Sequence, residues 1–138
     1  YLEMRGADGV PWGRLPALPA FWVGLLYDNT SLDAAWDIVK RWNAPERQAL
    51  RDDVPRMGFK ARIKDRYLFE IARECLVLAH AGLRRRGHVD PFGRDESRHL
   101  EPLDRILDSG RSPAEEMLEK FNGPWAGSVE PAYSEYAF

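Results

Sequence analysis

Glu3 and Arg5 are the residues whose types and spacing hold the most chemistry in this sequence. In an extended chain, positions i and i+2 project to one face about 7 Å apart. A carboxylate at the first position binds a hard divalent cation such as Mg²⁺ through oxygen. A guanidinium at the second then reaches a phosphoryl group touching the same cation and stabilises charge during transfer. The same spacing also makes an ion pair on an exposed strand, worth about 0 to 1 kcal/mol, and spacing alone favours that plainer alternative.

The other candidates read as structural. His80, His88 and His99 share no paired-ligand spacing, so zinc is not indicated. Cys75 falls on an apolar helical stripe, where a thiol behaves as a small hydrophobe. Arg84, Arg85 and Arg86 suit the negative end of a helix dipole, with anion binding a lesser alternative. Trp22, Trp36 and Trp42 sit in apolar stretches and read as core. Trp12 and Trp125, each next to a proline and close to a glycine, are the tryptophans placed to line a pocket.

Positioning these side chains takes one strand and several helices. Tyr1 to Arg5 alternates apolar and polar residues, the period of a half-buried strand. One strand leaves its backbone unpaired, so it belongs to a sheet whose other strands lie elsewhere. Gly6, Asp8, Gly9, Pro11 and Gly13 form a loop. Ser31 is placed to cap a helix whose inward stripe is Leu32, Ala35, Trp36, Val39 and Trp42. Asn43, Pro45 and Glu46 start another helix. Asp65 to Arg86 is the longest helical segment, closed by Gly87. His88 to Arg98 reads as a surface loop, followed by a short helix from about Pro102 to Asp108. Ser112, Pro113 and Glu115 open a last helix carrying Met117, Leu118 and Phe121, which ends at Asn122, Gly123 and Pro124.

The whole has 138 residues with 20 basic and 22 acidic side chains, net charge −2. That supports one compact domain and argues against a nucleic-acid or anionic-membrane binder. The apolar run from Leu15 to Tyr27 is broken by two prolines and a glycine and is too short to span a membrane. A single cysteine fits a reducing compartment, and a cytoplasmic location is expected. A first residue other than Met suggests a piece of something longer.

Several runs resemble one family, the plant and proteobacterial type of glutamate–cysteine ligase. They are Tyr1-Leu2-Glu3-Met4-Arg5-Gly6-Ala7-Asp8-Gly9, Pro11-Trp12, and Leu18 through Asp28. The likeness continues through Glu46-Arg47-Gln48, Val54-Pro55, Ser112 to Glu115, Asn122-Gly123 and Trp125, and ends at an aromatic terminus like the family's own C-terminus. The resemblance implies a glutamine-synthetase-like α+β fold and ATP-dependent joining of the glutamate γ-carboxylate to the cysteine amine through a γ-glutamyl phosphate. This is the first step of glutathione biosynthesis. It also implies Glu3 as a Mg²⁺ ligand and Arg5 as the charge-stabilising catalytic residue, with Asp8 and Trp12 as pocket candidates. Two residues depart from the plant pattern: Pro16 replaces a cysteine, which removes any thiol switch there, and Val10 replaces a glycine.

The fragment is therefore expected to be mainly α. Residues 1–14 would be an active-site strand and loop, and residues 15–138 a helical layer set against a sheet not contained in the chain. ATP and Mg²⁺ are the expected cofactors. L-glutamate, L-cysteine and the N-terminal part of the same enzyme are the expected partners, and the piece alone should be inactive. The rival is a helical scaffold module whose strand completes a partner's sheet edge.

Overall fold

The computed structural model describes residues 11–137. After Pro11 a 3₁₀ turn, Trp12–Arg14, leads into α1, Ala17–Leu26, a helix with no charged side chain. Asp28 is extended, and its carboxylate accepts the Ser31 backbone N–H at 2.8 Å, which satisfies an otherwise orphaned donor and starts α2, Asn29–Val39. Helix α3, Ala44–Met57, begins with a reciprocal cap. Asn43 accepts the Glu46 N–H and Glu46 accepts the Asn43 N–H, both at 2.9 Å, with Pro45 in the first turn.

A 3₁₀ turn, Gly58–Lys60, follows, and then a small antiparallel hairpin of β1, Arg62–Ile63, and β2, Arg66–Tyr67. Arg62 lies opposite Tyr67 and Ile63 opposite Arg66. Lys64 takes a positive φ of 54° to turn the corner. The long α4, Leu68–Arg86, closes on Gly87, whose φ of 67° is readily adopted without a Cβ. A loop and a 3₁₀ turn, Glu96–Leu100, lead to α5, Glu101–Ser109. Next come α6, Pro113–Asn122, opened by a Ser112–Glu115 capping box, and the short α7, Glu130–Glu135.

The core lies around α4. Ala20 and Leu25 of α1 meet Leu76, Ala79 and Leu83 of α4, with Leu100 and Leu107 completing the cluster. Helices α1 and α4 touch backbone to backbone. A Cβ at Gly24 would overlap the Ala79 carbonyl, and one at Gly82 would overlap the Gly24 carbonyl. Small residues at that crossing let the axes come closer than larger side chains permit. Ser31 is fully buried beside it and donates to the Leu78 carbonyl at 2.8 Å, which pins α2 to the same helix.

Most expected helices are present, with shifted ends and faces. The strand expected over residues 1–5 lies outside the described residues. The region 15–138 contains the hairpin as well as helices, so Asp65 to Tyr67 are not the first turn of α4. Asp28, not Ser31, caps α2, and Ser31 turns inward. The expected inward stripe of that helix is not buried: Leu32 and Trp36 are exposed, and Trp42 lies beyond the helix end. Tertiary contact with α4 decides that face, and it selects a hydroxyl with a carbonyl partner over the more apolar side. Helix α7, too short to show a period, was not expected.

Candidate functional site

Glu3, Arg5 and Asp8 lie outside the described residues, as does Val10. Trp12, the remaining pocket candidate, stands at the start of the 3₁₀ turn and is 73% exposed. Trp125 is buried instead, donating its indole N–H to Glu135 Oε1 at 2.8 Å, so it anchors the C-terminal helices and does not line a pocket. Pro16 sits exposed at the N-terminus of α1. Arg14 reaches Glu116 of α6 at 3.8 Å across the same end of the molecule.

Beneath this entry region a cleft of about 370 Å³ opens between α1, α4 and α5. Its walls come chiefly from Leu18, Phe21, Phe59, Leu76, Leu103 and Ile106, with Arg14 at one margin. Carbon walls give a phosphate or carboxylate nothing to bond, so the cleft suits apolar groups.

The charged clusters of the helical layer are used structurally. Arg85 grips Asp28 through Nε, at 3.1 Å to both oxygens, and through Nη2 at 2.7 Å, while Nη2 also donates to Ser31 Oγ at 2.8 Å. The Arg85 hydrogen bond, helped by the Ser31 N–H, brings the Asp28 carboxyl down to about 2. Arg86 lies 3.4 Å from Glu96 and above the Tyr27 ring. Two of the three consecutive arginines thus tie α4 to its neighbours, in place of an anion site.

In the loop after α4, burial pushes the Asp90 carboxyl up. The backbone N–H groups of Arg94 and Phe92 and the guanidinium groups of Arg94 and Arg98 outweigh that effect and hold it well below the carboxylate range. Burial raises the Cys75 thiol, consistent with an inert packing residue.

One pairing left no signal in the sequence. His80 Nε2 lies 3.0 Å from both oxygens of Asp104, joining α4 to α5, and its Nδ1 is buried without a partner. The two are 24 positions apart on different helices, so no local spacing marks them. Among the described residues, no three His, Cys, Asp or Glu side chains converge as a metal ion requires.

Comparison with known proteins supplies what this geometry leaves open. The family model described as Glutamate-cysteine ligase family 2 matches residues 1–135. The chain is 47% identical to the chloroplastic glutamate–cysteine ligase of Arabidopsis thaliana, 44% to that of Nicotiana tabacum, and 45% to glutamate–cysteine ligase A, chloroplastic, of Oryza sativa subsp. indica. Each match covers 100% of this chain and 25%, 25% and 27% of the relative respectively. The chain thus spans about a quarter of the length of the curated relatives it matches. These relatives are named chloroplastic, which overturns the expected cytoplasmic location. A lone cysteine speaks to redox conditions and not to organelle. No helix among the described residues is long and apolar enough to cross a membrane.

Proposed function

Because the chain belongs to Glutamate-cysteine ligase family 2, we propose that it is the C-terminal part of an ATP-dependent ligase that joins the γ-carboxylate of L-glutamate to the amine of L-cysteine. The supporting observation is identity of 44% to 47% running through the whole chain without a break to glutamate–cysteine ligases. A glutamine-synthetase-like fold for the complete enzyme belongs to the same reading.

In this reading the glutamate γ-carboxylate is activated as an acyl phosphate, and attack by the cysteine amine expels phosphate. The carboxylate of Glu3 would hold Mg²⁺, which when bound would neutralise phosphate oxygens. The Arg5 guanidinium supplies hydrogen bonds and positive charge to the migrating phosphoryl group, where fixed donors act most strongly. Asp8 and Trp12 border the substrate pocket, and the exposed Trp12 indole is available to a ligand or to the rest of the enzyme. Residues 15–138 stiffen the layer that sets the position of this strand.

The test is ATP-dependent formation of γ-glutamylcysteine, followed with purified protein. The full-length enzyme is expected to form it, and the 138 residues alone are expected to form none. Full-length protein that hydrolyses ATP without consuming cysteine would overturn the assignment.

A further inference from the structure

Helix α1, Ala17–Leu26, has no charged residue on any side, yet the described residues enclose it only in part. Ala17, Ala20, Gly24 and Leu25 are buried, while Leu18 and the core-flanking Phe21, Trp22, Val23 and Leu26 are only half-covered. A helix that is apolar all round is stable in water only when enclosed on all sides. The open side of α1 borders the carbon-walled cleft that continues onto Leu103 and Ile106 of α5.

We propose that this cleft is the seat on which the remainder of the ligase polypeptide docks, presenting an uncharged face to Leu18, Phe21, Leu103 and Ile106. The inference rests on the reading of this chain as one part of a longer ligase. The relatives are about four times its length, so most of such an enzyme lies outside these residues. Arg14, one of the residues lining the cleft, stands nine positions after Arg5 in the sequence. Nearly bare carbon at the cleft surface excludes a polar ligand and fits the apolar core that two parts of one domain share. Seating at this point fixes the origin of α1, from which eleven intervening residues lead back to Arg5.

The experiment places a photoreactive benzoylphenylalanine at Leu18 or, separately, at Ile106 of the full-length enzyme. It then maps the crosslinked peptides by mass spectrometry. Ligation activity is assayed on unmodified enzyme from the same preparation, so failure of the ligase reading is seen separately. The expected result is a crosslink from both positions to polypeptide outside these 138 residues, in a product that runs at monomer mass. Crosslinks confined to the 138 residues, a product of doubled mass from a second copy, or no protein adduct at either site would each overturn the proposal.

Discussion

At the scale of single residues, a carboxylate and a guanidinium are given different work in two places. In the function proposed for the full-length enzyme, Glu3 and Arg5 both act on a transferring phosphoryl group, one through a metal ion and one directly. Arg5→Ala in the full-length enzyme is expected to lower kcat by about 10²–10³-fold, in line with losing one preorganised donor to a developing charge. Glu3→Gln is expected to raise the Mg²⁺ concentration needed for half-maximal rate; titrating the metal at saturating ATP checks both. In the helical layer, Asp28 and Arg85 close directly on one another. Because the folded carboxyl lies near 2 against an ordinary value of 3.8, the pair stabilises the fold above about pH 4, and that contribution is lost as pH falls toward 2. Asp28→Asn keeps the capping oxygen but removes the charge. Its acid-unfolding curve, followed by circular dichroism, should lie closer to neutral pH than that of the parent, with a shallower slope between pH 4 and 2.

Elements are fixed here by caps and crossings more than by propensity. The Ser112 hydroxyl accepts the Glu115 N–H while Glu115 accepts the Ser112 N–H at 2.7 Å, so each end of the exchange satisfies one orphaned donor of α6. The Ser112 backbone N–H, and after it the Ser112 hydroxyl donating to Glu115 Oε2 at 2.9 Å, hold the Glu115 carboxyl below its usual value. Ser112→Ala should therefore cost about 1 kcal/mol, read from denaturant midpoints at unchanged slope. The crossing of α1 and α4 is less tolerant. Gly82→Ala sets a methyl against the Gly24 carbonyl and the Ser31 hydroxyl, atoms that cannot turn away. A loss of about 1–3 kcal/mol or more is expected, with α2 loosened as well because Ser31 loses its seat on Leu78. Thermal melts of the variant check it, and Gly87→Ala, which stands at positive φ but meets no neighbouring atom, shows for comparison what backbone strain costs without a clash.

For the whole molecule, the helical layer carries an apolar cleft on one side and charge pairs elsewhere, a division suited to one part of a larger domain. What the sequence determined by itself was whatever short-range chemistry dictates. Asn43 with Glu46, Ser112 with Glu115, and glycines at 87 and 110 set helix ends through bonds spanning three or four residues, so they are visible in a linear text. The long identity with glutamate–cysteine ligases is likewise a property of residue order. Tertiary structure alone decided which faces are buried. It turned Ser31 inward and Trp36 outward, enclosed Trp125 and exposed Trp12, and drew His80 to Asp104 and Arg85 to Asp28 across 24 and 57 positions. The physical reason is that burial and long-range pairing are settled by what a neighbouring element offers. A hydroxyl beside a free carbonyl is easily buried, and a tryptophan with no opposing surface stays in water.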